Sequence, residues 1–222
     1  MAENHLRGGR LVIGNRRYSS WSLRGWLPVM LAGLEVEVQV IPLAGGSTPA
    51  IRAATPAGLV PYLEHGGAHI WESLAIGEYC AETMPGLWPS DRVARAQARS
   101  VASEMHAGFR ELRIAMPFNI GRTFPGLRRT EGALADIARI EALWSECLDA
   151  HRGPFLFGAA FTIADVMFAP ICARFLTWRP ELSARSRAYV EAVRAHPLVD
   201  RWYRDAAAEP AEWQLPKYEE IA

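Results

Sequence analysis

The feature that most constrains the fold of this chain is a change in hydrophobic periodicity near residue 85. Before that point, short apolar or alternating runs typical of strands are interleaved with segments of helical spacing. A chain of 222 residues has room for one large domain or two small ones. After that point, helical periodicity alone is found, in the segments 92–116, 130–150, 162–178, 184–195 and 198–208. We therefore predict a small α/β domain followed by an all-helical domain.

The first half of the predicted α/β domain is a strand–helix–strand unit. Residues 11–14 are a short apolar run and residues 35–41 alternate between polar and apolar side chains, so both predict strands. Between them, residues 20–33 carry apolar side chains at helical spacing. Gly33 stands where a helix C-terminus is favoured, and Pro28 stands where a kink or break is expected. Strands joined by a helix in this way pair in parallel.

The second half of this domain is a hairpin followed by a helix. Residues 42–58 are rich in Pro, Gly, Ser and Thr, which predicts a loop with one short helix. Residues 59–71 predict two antiparallel strands around a His-Gly-Gly-Ala turn, and helical spacing resumes over residues 73–84. The predicted element order is β-α-β-α-β-β-α. We place the α/β domain at residues 10–84, a linker at 85–91 and the helical domain at 92–222.

Charge and cysteine content exclude several classes of function. The chain has 24 Lys and Arg against 24 Asp and Glu, a balance that argues against nucleic-acid and membrane-surface partners. Its three cysteines are widely spaced and form no CxxC pair, so we expect a reducing compartment, the cytoplasm. The first ten residues lack the apolar stretch of a secretory signal. The longest apolar runs fall short of the roughly 18 residues that span a bilayer.

Four segments, taken in order, carry a resemblance to a known family. They are YSSWSLRGWL at 18–27, Leu-Val-Pro at 59–61, Glu-Ser at 72–73 and FTIADVMFAP at 161–170. Together they resemble the cytosolic glutathione S-transferases, and within them the zeta class and related bacterial members. The resemblance implies a thioredoxin-like N-terminal domain and an all-helical C-terminal domain. It further implies glutathione as co-substrate without a metal, a small electrophile as second substrate, and a homodimer.

The resemblance directs attention to three serines at the start of the first predicted helix. Glutathione reacts as a thiolate, and a free thiol with a pKa of about 8.5 is ionised only slightly at neutral pH. A hydroxyl that donates a hydrogen bond to the sulfur lowers that pKa by about one to two. Ser19 stands where the resembling classes keep an active serine, Ser20 is its neighbour, and Ser22 is a third candidate. The alternative is that these serines only cap the helix.

The tripeptide itself is expected to bind at the hairpin and the helix that follows. Ser73 is predicted to cap that helix and to leave its free N–H groups for the γ-glutamyl carboxylate. Glu72 is expected to pair with the ligand's ammonium group. Val60 is expected to bind the cysteinyl part through its backbone, as an added strand does. By resemblance, the bond between Val60 and Pro61 is cis.

Residues 104–119 are predicted to line the cleft between the two domains. His106 and Arg113 on this helix are candidate contacts for the second substrate. Arg110 and Arg113 are three residues apart, which places them on one helix face, where they would hold an anionic acceptor. The alternative is solvent-facing or dimer-interface charge. Glu104 is a further candidate, one that would reach across a dimer to the ammonium group of the ligand.

Two other residue pairs receive mainly structural interpretations. Thr162 and Asp165 form a Thr-x-x-Asp capping box ahead of an apolar run, which we assign to folding. His65 and His69 flank the Gly-Gly turn, but two histidines without a third ligand are a weak metal signal. We therefore predict no metal site.

One departure from the zeta pattern bears on the reaction. Many zeta members have a cysteine after the Ser-Ser pair, where this chain has Trp21, and that cysteine is associated with maleylacetoacetate isomerisation. The leading hypothesis is therefore a Ser-activated glutathione transferase. A glutathione-dependent isomerase of the maleylacetoacetate type and a non-catalytic glutathione-binding protein are the alternatives. A thiol-disulfide reductase is disfavoured because no CxxC pair is present.

Overall fold

The computed structural model describes residues 8–221, and it has the predicted order of elements. The α/β part consists of β1 (Gly9–Gly14), α1 (Ser20–Leu31), β2 (Val36–Ile41), α2 (Pro49–Ala54), β3 (Tyr62–His65), β4 (Ala68–Trp71) and α3 (Ser73–Thr83). The helical part consists of α4 (Arg92–Ala107), α5 (Arg110–Ala115), α6 (Glu131–His151), α7 (Ile163–Trp178), α8 (Ala184–Ala195), α9 (Pro197–Ala207) and α10 (Pro216–Glu219). The predicted fold class is confirmed. The domain boundaries stay a prediction.

The four strands form one mixed sheet in the order β2-β1-β3-β4. Strand β1 pairs in parallel with β2 and antiparallel with β3, and β4 closes the hairpin. The apolar run of β1 is buried on both faces, with Leu11, Val12 and Ile13 all 0% exposed. That burial is why β1 lacks the alternation seen in β2.

The hairpin turn depends on two glycines. Gly66 and Gly67 have φ angles of 57° and 81°, a pair of left-handed conformations that a tight hairpin turn requires. Residues other than glycine are sterically disfavoured in that region, because their Cβ atom clashes with the backbone. The His-Gly-Gly-Ala sequence therefore fixes the register between β3 and β4.

The two parts of the molecule share one apolar core, because α1 packs against both α3 and α7. Helix α7 is buried along almost its whole length. At its start, the fully buried Asp165 carboxylate accepts hydrogen bonds from the N–H of Thr162 at 2.8 Å and from the N–H of Leu156 at 2.9 Å. The Tyr189 hydroxyl donates a further one at 3.1 Å. This geometry agrees with the capping-box interpretation.

Three details of the sequence prediction are corrected. The helix predicted over 92–116 is two helices, because Phe109 adopts a left-handed φ of 58° between α4 and α5. Of the kink or break expected at Pro28, the break is excluded, because α1 continues past it to Leu31. The short helix α10 was not predicted, since it is held by contacts with distant parts of the chain rather than by its own periodicity.

Within residues 8–221, no helix is long and apolar enough to cross a membrane. The three cysteines are buried and unpaired. Burial raises the pKa of Cys80 and of Cys147 to about 12, so neither thiol is a nucleophile at neutral pH.

Candidate active site

Five of the predicted site residues, Ser19, Ser20, Val60, Pro61 and Glu72, border one cleft. It consists of two adjoining cavities of about 440 and 450 Å³ that share Trp21, Leu59 and Val60. One cavity extends beside residues 46–48, and the other extends to Glu72. A larger cavity of about 670 Å³ lies between α6 and α8, and none of the predicted site residues line it. The cleft is therefore where the predicted chemistry converges.

Helix α1 is brought close to this cleft by contact at Gly25. A Cβ atom on Gly25 would lie 2.4 Å from Cγ of Pro61, so a larger residue would push the helix away. The Val60–Pro61 bond is cis, as the resemblance implied. In residues 8–221, neither the N–H nor the C=O of Val60 takes part in a hydrogen bond. Both groups are left for a ligand.

The three candidate serines occupy different positions at the start of α1. Ser19 is the N-cap and borders the cleft with Ser20. The Ser19 Oγ accepts a hydrogen bond from the N–H of Ser22 at 3.3 Å and donates to the Ser22 Oγ at 2.7 Å. Ser22 is 0% exposed and accepts from the N–H of Gly14 at 2.9 Å. Ser22 therefore does not face the cleft, which leaves Ser19 and Ser20 as candidates.

Ser73 and Glu72 lie together at the start of α3. Ser73 is the first residue of the helix rather than its cap, because the left-handed φ of 69° at Glu72 turns the chain one residue earlier. The prediction that the Ser73 hydroxyl caps α3 is therefore wrong. That hydroxyl is buried, the residue is 1% exposed, and its oxygen has no hydrogen-bond partner in the described chain. The Glu72 side chain remains 49% exposed at the cleft.

His106 and Arg113 reach the same region from the helical part. The His106 Nε2 lies 3.4 Å from Oε2 of Glu72, and the His106 ring meets the Trp21 ring edge-on at 5.3 Å. Burial, with added repulsion from Arg24, lowers the pKa of His106, so the imidazole is neutral at pH 7. The Arg113 guanidinium lies 5.6 Å from the centre of the Trp21 ring.

Arg24 is the residue that sequence reasoning missed. Its guanidinium lies 3.9 Å from the centre of the Trp21 ring, behind the cleft wall, and the residue is 0% exposed. One nitrogen contacts the Met105 sulfur at 3.2 Å, and Nε and Nη2 have no partner among the described residues. Burial, with added repulsion from Arg113, lowers the pKa of Arg24. The sequence signal was available, since Arg24 is the one charged residue in the otherwise apolar or small segment 20–33.

A second missed feature is the C-terminal segment 211–221, which packs on the β1–α1 turn. The Glu219 carboxylate accepts hydrogen bonds from the Arg17 Nε at 2.8 Å, the Tyr18 hydroxyl at 2.6 Å and the Asn119 amide at 3.0 Å. Burial raises the pKa of Glu219, but these hydrogen bonds outweigh it and lower the pKa. Tyr18 borders the cleft beside Ser19, so the tail supports the cleft wall.

Several predicted candidates do not converge on the cleft. The Arg110 side chain is 82% exposed and contacts Glu111, so it diverges from Arg113. The Glu104 carboxylate is held by Arg139 with bonds of 2.7 and 2.9 Å, which occupies the group proposed to cross a dimer. His65 and His69 bond to different tyrosines, Tyr79 and Tyr62. Residues 8–221 contain no group of three His, Cys, Asp or Glu side chains placed to bind a metal.

Family models match two long segments of the chain. The model for the glutathione S-transferase N-terminal domain matches residues 18–83, and the model for the C-terminal domain of that family matches residues 123–205. Together these segments cover more than half of the chain.

Individual proteins and structures agree with these matches. The chain is 28% identical over 163 residues to a probable maleylacetoacetate isomerase from Caenorhabditis elegans, covering 70% of this chain and 73% of that protein. It is 27% identical over 176 residues to glutathione S-transferase L3 from Arabidopsis thaliana, covering 75% and 69%. The crystal structure of maleylacetoacetate isomerase from Anaeromyxobacter dehalogenans, with GSH bound in its active site, superposes with a TM-score of 0.64. That alignment has 29% identity and covers 92% of this chain and 97% of that one.

Proposed function

Because the chain belongs to the glutathione S-transferase family, we propose that it binds glutathione in the cleft around Val60 and transfers the thiolate to a small electrophile. The observation that carries this proposal is the unpaired Ser73 hydroxyl, buried at the first turn of α3 beside the exposed carboxylate of Glu72. A buried polar group without a partner is costly, and a bound carboxylate would satisfy it.

The residues present fit glutathione along the whole cleft. The γ-glutamyl carboxylate binds the Ser73 hydroxyl and the free N–H groups of α3, while its ammonium pairs with Glu72. The free N–H and C=O of Val60, next to Pro61, bind the cysteinyl part. At the other end, the exposed Arg52 lines the cavity and supplies a cation for the glycyl carboxylate. The thiol then lies in the middle of the cleft, near α1.

Ser19 is proposed to stabilise the thiolate. Its hydroxyl donates to the Ser22 Oγ, but a thiolate is a stronger acceptor than a neutral hydroxyl, so the Ser19 hydrogen turns to the sulfur when glutathione binds. The oxygen of Ser22 lies 2.7 Å away, and Ser22 can donate to Ser19 in exchange. The proton lost by the thiol passes to solvent, and the thiolate attacks the electrophile. Ser20 serves as the alternative donor.

The electrophile is proposed to bind against the helical side of the cleft. Trp21 forms the wall, with the neutral imidazole of His106 at its edge and Arg113 behind. The Arg113 guanidinium also donates to the carbonyl oxygens at the end of α4, including that of Gly108 at 2.9 Å. Arg113 is therefore held in place by α4 as it adds positive charge to this wall.

A glutathione-dependent isomerase of the maleylacetoacetate type is the second candidate. Relatives with that printed name support it, among them the proteins of Caenorhabditis elegans and Rattus norvegicus. Trp21 in place of the zeta-class cysteine favours transfer instead. Incubation of glutathione with cis-dienoic acids and with electrophiles separates the two, since isomerisation returns free glutathione and transfer consumes it.

We further propose a homodimer in the cytoplasm. The exposed apolar side chain of Val93, which is 77% exposed and lies outside the cleft, supplies surface that a second copy would cover. The three unpaired cysteines are consistent with a reducing compartment.

The experiment that tests glutathione binding is calorimetry on Ser73→Ala. Loss of a hydrogen bond to a charged group should weaken the affinity about ten- to a hundredfold. The matched control is Ser100→Ala, an exposed serine whose hydroxyl bonds only to the Ala96 carbonyl, and its affinity should not change. Unchanged glutathione affinity in Ser73→Ala would reject this placement of the ligand.

A further inference from the structure

The C-terminal segment 211–221 contacts a loop of the α/β part through the only lysine in the chain. Among the 24 basic residues, Lys217 is the single lysine. Its ammonium group donates a hydrogen bond to the carbonyl oxygen of Gly45, in the loop 42–48 between β2 and α2. The contact is close, because a Cβ atom on Gly45 would lie 3.0 Å from Cε of Lys217 and 3.8 Å from Cδ1 of Leu215. The C-terminal segment therefore packs on the middle of this loop.

The backbone of the C-terminal segment is held on both sides of Lys217. Before it, the N–H of Leu215 donates to the Tyr18 hydroxyl at 3.1 Å. After it, the carbonyl oxygen of Tyr218 accepts a hydrogen bond from the side-chain amide of Asn119 at 2.7 Å. Lys217 therefore reaches the loop from a fixed backbone rather than from a free chain end.

The loop 42–48 has little in its own sequence that would fix its conformation. It reads PLAGGST, and two consecutive glycines have more backbone freedom to lose than any other pair of residues. The N–H of Ala44 bonds to Oγ1 of Thr48 at 3.1 Å, within the loop, and the N–H of Leu43 bonds to Oδ1 of Asn15 at the long distance of 3.4 Å. The hydrogen bond from Lys217 is therefore a substantial part of what orders the two glycines.

This loop forms the end of the cleft that lies away from Glu72. Residues 46–48 line the cavity there together with Arg52, at the place proposed above for the glycyl carboxylate of glutathione. A ligand that has to order a loop as it binds loses affinity, and a loop that is ordered beforehand avoids that loss. Lys217 does not line the cavity, so its effect on a ligand has to pass through the loop.

We propose that Lys217 is a positioning residue that fixes the loop 42–48 and thereby makes the cleft selective for thiols with a third residue after the cysteine. The inference rests on the proposed glutathione site and adds to it the part of the ligand that the C-terminal segment selects. γ-Glutamylcysteine ends at its cysteinyl carboxylate, so it binds at Val60, Glu72 and Ser73 without reaching the loop. Glutathione reaches the loop with its glycyl group, and its affinity alone depends on the order that Lys217 imposes.

The test is calorimetry of glutathione and of γ-glutamylcysteine with the full-length wild type, Lys217→Met and Lys217→Arg. In Lys217→Met the glutathione affinity should fall about three- to tenfold, the loss expected when binding must order the loop, whereas the affinity for γ-glutamylcysteine should stay within about twofold. Lys217→Arg should keep both affinities within about twofold of wild type, because a cation of similar length can still donate to Gly45. Arg110→Met removes one positive charge from a side chain that is 82% exposed, and this control should equal wild type.

Amide hydrogen exchange, measured with neither ligand added, reports on the loop directly. Exchange in peptides that cover residues 42–48 should be about three- to tenfold faster in Lys217→Met than in wild type, because the loop loses its hydrogen bond to the C-terminal segment. Exchange in α8 (Ala184–Ala195) should not change.

The outcomes separate the role of Lys217 from the glutathione site itself. Unchanged glutathione affinity in Lys217→Met, equal losses with the two ligands, or unchanged exchange in the loop would each overturn the proposal. A wild type that binds γ-glutamylcysteine as tightly as glutathione would also overturn it. Failure of the wild type to bind either ligand would instead reject the proposed glutathione site. Because Lys217 is exposed, its substitution leaves the apolar core unchanged.

Discussion

Arg24→Met should make the protein more stable. The guanidinium of Arg24 is fully buried, with Nε and Nη2 unpaired, and its hydrogen bond is to the Met105 sulfur. Methionine is unbranched and of similar length, so it can fill the same space between Trp21 and Met105. The substitution removes a buried charge without leaving an opposite charge behind.

The size of the effect follows from opposing contributions. Replacing buried charge by apolar side chains of similar volume stabilises proteins by up to about 4 kcal/mol. Against this stand the lost cation–π contact with Trp21, about 1–2 kcal/mol, and one weak hydrogen bond. We expect a net gain of about 1–3 kcal/mol. For a chain of 222 residues, that gain raises Tm by about 2–12 °C.

The assay is urea unfolding followed by circular dichroism, together with thermal unfolding, on wild type and Arg24→Met. Arg110→Met, which replaces an exposed arginine of α5, is the control and should change stability by less than about 0.5 kcal/mol. A loss of more than about 1 kcal/mol in Arg24→Met would refute the reasoning. It would mean that the guanidinium is satisfied by partners within the protein.

Four further predictions address the other residues. Ser19→Ala should raise the pKa of the bound glutathione thiol by about 1–2, while Ser20→Ala should leave it nearly unchanged. Titration of the thiolate absorbance measures this pKa in both variants. A shift in Ser20→Ala alone would assign the thiolate-stabilising role to Ser20 instead of Ser19. Glu219→Gln should weaken glutathione binding about threefold or more, because the β1–α1 turn loses charged hydrogen bonds. Glu220→Gln changes an exposed residue and should leave the affinity unchanged. Equal affinities in the two variants would show that the C-terminal segment does not support the binding cleft. Asp165→Ala should lower the free energy of unfolding, measured in urea, by about 3–5 kcal/mol, because buried donors at the start of α7 lose their acceptor. The control Asp149→Ala changes an exposed residue and should alter this free energy little. Sedimentation should give a dimer, and a mass of 24.6 kDa, that of one chain, would contradict it.

Much of the fold could be predicted because local patterns of apolar, polar and turn-forming residues indicate its elements. Alternation at 35–41, the Gly-Gly turn and the helical spacing after residue 92 each reflect constraints that neighbouring residues impose on one another. Helix α8 (Ala184–Ala195) begins and ends at the residues that periodicity indicates. The break at Phe109 was missed, since apolar spacing continues across it and only packing decides that two short helices fit better than one.

The candidate site divides in the same way. The motifs at Ser19, Val60, Glu72 and Ser73 could be found because each lies at a local backbone feature, a helix start or a pre-proline turn, that leaves polar groups for a ligand. The sequence could not show that Ser19 borders the cleft and Ser22 does not. The two residues lie within one helical turn, and only tertiary packing decides which side of that turn is buried.

The tertiary structure alone decided the electrostatics of the cleft. Arg24 and Arg113 are far apart in sequence, and nothing local indicates that α1 and α5 bring their guanidinium groups to one tryptophan, Trp21. The same holds for Glu219, whose donors lie about a hundred residues or more away. Sequence patterns show the period at which apolar side chains recur along the chain, and this period predicts helices and strands. The energy of a charge depends on what surrounds it in three dimensions, and that is fixed only when the elements pack.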